Sequence, residues 1–162
     1  MNTIKTIITV VILISFVFAD GLNANASDTT DTRVADTVIE AVRNIDIVSL
    51  NVLLAEDAPV DTVDESGNTP LMIASQIGNP RMTRIILAHN PEINVRNSDG
   101  ETALMIAARH GVTQIVEQIL GSGADTSLQN LEGLNAYDIA LRNGHAEIIS
   151  LLNTESNFSF SR

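Results

Sequence analysis

The chain has 162 residues, a formal charge of −11, no cysteine and no tryptophan. That length allows one ordinary domain, and the missing cysteines exclude disulfides, Cys-ligated zinc, iron–sulfur clusters and thiol catalysis. Tyr137 is the one aromatic residue between Phe18 and Phe158, so the core has to be aliphatic, and base-stacking nucleic-acid binders, which need aromatic platforms and attraction to phosphate, are excluded.

The first element is an export signal. Lys5, the only lysine, supplies a positive start, and Ile7 to Ala19 is an apolar run of 13 residues. A membrane-spanning helix needs about 20, whereas a secretory core is shorter. Ala24-Asn25-Ala26 gives the small-x-small pattern for cleavage before Ser27, with a poorer site at Val17-Phe18-Ala19. Residues 1–26 are therefore expected to be removed, and residues 27–33 to form a disordered linker. Lys5 and Asp20 leave together, so the charge is unchanged. The expected location is the periplasm or the exterior, with no membrane attachment after cleavage. Asn157-Phe158-Ser159 would be a glycan acceptor in a eukaryotic secreted protein, but the lack of disulfides suits a bacterial periplasmic one better.

A period of 33 residues follows. Gly67, Gly100 and Gly133 keep it, as do Gly78, Gly111 and Gly144, and Ala74, Ala107 and Ala140. Thr69, Thr102 and Asn135 are helix N-cap types at the same spacing. Pro70 falls at a first helical position, where its missing N–H costs nothing. Leu71, Leu104 and Tyr137 open an apolar stripe, and the alanines allow close helix approach. Gly78, Gly111 and Gly144 end a short helix. A second helix is expected to turn Ile85/Ile86/Leu87, Val116/Ile119/Leu120 and Ile148/Ile149/Leu152 inward. Asn90 and Gly123 suit a left-handed C-terminal cap. Ser66-Gly67 and Asp99-Gly100 mark turns between units. Another step back gives a degenerate first unit: Asp36 at the cap, Val38 at the leucine, Ala41 at the alanine, Ile45 at the glycine and Asp57 in place of Gly123.

These units, with Thr69-Pro70-Leu71 and Gly123-Ala124-Asp125 as the best local matches, resemble the ankyrin repeat. The resemblance implies an all-α solenoid of about four helix-turn-helix units joined by β-turn or hairpin loops. The units run over residues 34–63, 64–96, 97–129 and 130–153, making one domain over 34–153. The tail, 154–162, carries Phe158 and Phe160 and is either frayed or folded back over the last helix. At least three units are needed to bury a continuous core, and terminal ones are atypical. Met72, Met105 and Asp138 stand where the family has a histidine that ties neighbouring turns, so adhesion between units is expected to be more purely apolar. Pro91 replaces a small residue after the second unit's helix cap. The fourth unit has Asn135-Ala136 in place of Thr-Pro.

Catalytic patterns are absent from the sequence: there is no nucleophile elbow, phosphate loop, His-Glu-x-x-His or calcium loop. His110 and His145 flank repeat glycines in adjacent units, and a metal there would need Asp138 or Glu147 as a third ligand. The residue types give no cofactor and no enzyme. The resemblance implies a protein-binding surface on the hairpin tips and the inner face of each first helix. Its positions are Arg43 in the first unit; Val63, Glu65, Ser66, Asn68, Gln76 and Ile77 in the second; and Arg96, Ser98, Asp99, Glu101, Arg109 and His110 in the third. Gln129, Leu131, Glu132, Leu134, Arg142 and Asn143 complete it in the fourth. Ile77, Leu131 and Leu134 are apolar where turns are usually polar, and Arg109 and Arg142 form a short basic ladder suited to a partner's carboxylate. The expected function is a monomeric, exported, non-catalytic module that binds, inhibits or protects one protein, to which the −11 charge would steer a basic partner. The alternatives are a secreted effector acting on host proteins and a metal-dependent enzyme.

Overall fold

The computed structural model describes residues 37–159. The export signal, the linker, Asp36 and the Phe158 and Phe160 side chains lie outside the described residues. Eight helices follow in order: α1 (37–43), α2 (Ile47–Ala55), α3 (Pro70–Ile77), α4 (Pro80–Leu87), α5 (Ala103–His110), α6 (Thr113–Gly121), α7 (Ala136–Asn143) and α8 (Ala146–Ser159). Among the described residues there is no strand, and turns join the units. α3 packs on α5 and α5 on α7, α4 on α6 and α6 on α8, and α3, α5 and α7 each pack on their own second helix, α4, α6 and α8. The result is an all-α solenoid two helix layers deep.

Local chemistry starts and stops each first helix. Thr69, Thr102 and Asn135 accept from the backbone N–H three residues on, at 3.3, 3.3 and 2.9 Å. Each such cap contributes about 1 kcal/mol. Gly78, Gly111 and Gly144 close the helices at φ 74, 75 and 76°. Beyond them, the N–H groups of Asn79, Val112 and His145 return to the carbonyls of Ala74, Ala107 and Ala140. The first unit closes the same way, from Asp46 N–H to the Ala41 carbonyl, but Ile45 holds the glycine's place at φ 56°. A β-branched residue there is strained. Asp57 and Asn90 take the later left-handed position at φ 62 and 51°.

The core is aliphatic throughout. Ala74, Ala107 and Ala140 have no exposed surface, and Leu71 and Leu104 have 1 %. Burying a leucine of this kind stabilises by about 1.5–3 kcal/mol. In the second helices the deepest residues include Met82 and Ile115 as well as Ile86, Val116, Ile119, Ile148 and Leu152. Ile85, Leu87, Leu120 and Ile149 are only partly buried, packed against that core. The last helix continues to Ser159, past the expected end at Asn153. No glycine or proline follows Asn153 to stop it.

Adhesion between units is not purely apolar, which corrects the expectation drawn from Met72 and Met105. Asp64, Asn97 and Asn130 stand 33 apart, and each Oδ1 accepts from the N–H groups two and four residues on, at 2.8–3.0 Å. The other terminal atom of each reaches back one unit. Asp64 Oδ2 accepts from Arg43 at 2.6 Å, Asn97 Nδ2 donates to Asn68 Oδ1 at 2.9 Å, and Asn130 Nδ2 donates to Glu101 Oε1 at 3.5 Å. Asp61 and Asn94, again 33 apart, accept from the N–H groups of Glu92 and Asp125 at 2.9 Å. At the tips, Ser98 N–H donates to the Ser66 carbonyl and Leu131 N–H to the Asp99 carbonyl. Met72 itself closes its own turn, its sulfur accepting from Thr69 N–H at 3.5 Å, and Asp138 does the same for Asn135 at 3.2 Å.

Candidate functional site

Successive hairpins and first helices carry the expected binding positions, and the 33-residue register sorts them. Position one of the register is Arg43, Gln76, Arg109 and Arg142, in the last turn of each first helix. Position two, in the hairpin, is Asn68, Glu101 and Leu134. The tips are Glu65–Ser66, Ser98–Asp99 and Leu131–Glu132. Gln76, Ile77, Arg96, Ser98, Asp99, His110 and Asn143 are exposed, as are Arg43, Val63, Glu65, Ser66 and Gln129.

Glu101 does not face solvent. It is 4 % exposed, and Arg109 grips it with both guanidinium nitrogens, Nη1 to Oε2 at 2.6 Å and Nη2 to Oε1. The hydrogen bonds to Glu101 hold the Arg109 guanidinium still more firmly charged than usual, against the opposing effect of its partial burial. Asn68 is half-buried between Asp64, which takes its amide at 3.2 Å, and Asn97. Glu101 and Asn68 are thus joints between units rather than free contacts. Leu134 holds the same position in the fourth unit and packs half-buried on the core.

The basic ladder is also corrected. Arg43 pairs with Asp64 at 2.6 Å, Arg109 with Glu101, and Arg142 with Glu132 at 2.9 Å. The register contains three arginines, not two, and each already has a carboxylate. Arg96 is engaged as well. Its Nε donates to the Gly100 carbonyl at 3.0 Å and its Nη2 to the Gln129 carbonyl at 2.6 Å. What remains open to a partner is different from the expected basic row. Glu65 and Asp99 have no ion pair among the described residues. Val63, Ile77, Leu131 and Leu141 are exposed apolar residues, Leu131 at 75 %.

Sequence reading missed Leu141. Its counterparts, Ser75 and Ala108, have no exposed surface because the next unit covers them. The length of its side chain at a small-residue position was the available signal. Asp64, Asn97 and Asn130 were also missed, although all three are Asx residues at the repeat spacing.

The metal reading finds its ligands engaged elsewhere. The His145 ring lies over Gly111, with Nε2 3.1 Å from the Arg109 carbonyl oxygen. Glu147 accepts from Thr113 at 2.9 Å, and Asp138 closes its own helix start. Among the described residues, no three His, Asp or Glu side chains are grouped to hold an ion. A depression of about 220 Å³ lies at the fourth unit beside Thr126, Asn135 and Tyr137, below the roughly 300–1,000 Å³ of ligand pockets. No described helix is long and apolar enough to cross a membrane.

A family model described as ankyrin repeats, in three copies, matches residues 38–130 and 78–160. No curated protein matches the chain significantly.

Proposed function

The chain belongs to the ankyrin-repeat family, and on that premise we propose that it is an exported, monomeric binding module that holds one protein partner in the periplasm or outside the cell. Ankyrin repeats are generally protein–protein interaction modules and typically non-enzymatic. The observation that carries the reading is the face on which Glu65, Ser98 and Leu131 repeat at one register and stand exposed on successive units. Such a face suits a protein surface, whereas a small molecule needs an enclosing pocket. The apolar run at Ile7–Ala19 supports export. Free acids at the tips favour a basic partner and raise its association rate. Holding such a partner would inhibit or protect it, as an immunity protein or an enzyme-guarding accessory does.

Two measurements test this. Fractionation of cells expressing the full chain is expected to recover it shortened at its N-terminus and outside the cytoplasm. Recovery at full length inside the cell would remove the export claim. Affinity purification from the same fraction is expected to retain one protein reproducibly; consistent failure to retain any would sink the binding claim.

A further inference from the structure

The second unit breaks a pattern that the other three keep. At register position one, Arg43, Arg109 and Arg142 each present a guanidinium to a hairpin carboxylate. The second unit has Gln76, which is exposed and cannot supply that charge. The neighbouring positions change in the same direction. Val63 stands one period before Arg96, and Ile77 one period before His110. Val63 is 56 % exposed and Ile77 36 %. At these three positions Val63, Gln76 and Ile77 thus stand in place of Arg96, Arg109 and His110, while the tip stays acidic. Glu65 and Asp99, on adjoining tips joined by the Ser98 N–H to Ser66 carbonyl bond at 2.9 Å, have no ion pair among the described residues.

Exposed apolar side chains in a unit whose tip carboxylate has no ion pair match one side chain closely. Arginine lays a three-carbon stem on apolar surface and sends a charged, planar head beyond it. Its fork meets a carboxylate with two parallel hydrogen bonds, which lysine's ammonium cannot do. The chain displays that pairing one unit away, where Arg109 grips Glu101 with two nitrogens. We propose that the second unit receives an arginine from the protein partner, its guanidinium on Glu65 with Asp99 adding attraction and its stem on Val63 and Ile77. The partner thus supplies the rung that Gln76 leaves empty. The inference rests on the binding-module reading and names the partner's contact chemistry.

The test is a displayed library of random dodecapeptides panned against the purified chain, with the retained peptides then measured against variants. Peptides carrying an arginine beside apolar residues are expected. Their affinity should fall about tenfold or more with Glu65→Gln, because a charged pair loses one partner. Gln76→Arg, which fills the rung from within, should weaken them similarly. Arg→Lys in the peptide should weaken binding as well, separating a fork from a point charge. Both substituted positions are exposed, and unchanged thermal unfolding will show that the variants fold. Retained peptides that ignore Glu65→Gln and Gln76→Arg but are lost with Leu131→Ser would overturn the inference and leave the binding module standing. No retained peptide on any form would count against the binding module itself.

Discussion

The first and third units trace the same backbone with different residues at its hardest point. Both end their first helix in a left-handed residue, and both return the next N–H to the alanine carbonyl. The third unit uses Gly111, which adopts that conformation freely. The His145 ring packs so closely over it that an added Cβ would lie 2.5 Å from the ring. The first unit uses Ile45, half exposed and at φ 56°. An internal glycine therefore does two things, turning the chain and leaving room for the next unit. The first unit retains the turn without the residue best suited to it, and strain of this type costs about 1–3 kcal/mol. The comparison separates what the fold requires, which is the conformation, from what makes that conformation easy.

The largest expected effect tests whether the interior units carry more of the core. Leu104→Ala removes a side chain that is 1 % exposed and should cost about 2–5 kcal/mol in urea unfolding. Its first-unit counterpart, Val38→Ala, removes fewer carbons and should cost about 1.5 kcal/mol at about 0.8 per methylene. Equal losses would make the two ends of the comparison alike.

A sharper division comes from two glycines. Gly111→Ala and Gly144→Ala both place a methyl at positive φ, worth about 1–2 kcal/mol. Above Gly144 there is nothing within 4 Å, so Gly111→Ala should cost at least about 1 kcal/mol more through overpacking against His145. Identical shifts in the urea midpoint would show that the ring moves aside freely. Ile45→Gly should act in the opposite direction. Relief of strain exceeds the entropy that glycine adds to the unfolded chain, and stability should rise by about 0.5–1 kcal/mol. A fall would mean that the isoleucine side chain stabilises the first unit more than its backbone strain harms it.

The smallest effect concerns acid. Burial raises the Asp64 carboxyl, but hydrogen bonds from Asn68 and Ser66, with the charge of Arg43, together hold it below its ordinary value. Asp46 and Asp125 are lowered by hydrogen bonds from Ser49 and Ser127. A lowered carboxyl stabilises the fold above its unfolded pKa and loses that contribution as pH falls through the folded value. Unfolding below the ordinary aspartate range should therefore be steeper than Asp64→Asn shows. That variant retains the Oδ1 acceptor used by Asn97 and Asn130, and near neutral pH it should change stability by less than about 1 kcal/mol. A variant with an unaltered acid profile would assign the dependence to Asp46 and Asp125.

The features most legible in the sequence were those closed within one turn. Thr69, Thr102, Asn135 and the glycines that follow act on neighbours three or four residues away, so spacing and residue type identify them. Ile45 was placed by the period, although nothing in its own chemistry points to a left-handed residue. The binding face was less legible. Whether Arg109 is free or paired depends on where Glu101 points, and a buried glutamate looks the same in sequence as an exposed one. Leu141 shows the converse: its register mates Ser75 and Ala108 are buried and it is not, a difference its own residue type does not carry.

Asp64, Asn97 and Asn130 each fold their own hairpin with one atom and grip the preceding unit with the other. A hairpin that loosens therefore releases its neighbour, and a neighbour that departs leaves the hairpin half-held. Order in this chain is transmitted along one line, from joint to joint, so melting is expected to proceed as a moving boundary rather than as separate losses. A partner seated across several units would act on that boundary, arresting it by occupying a single side of the stack.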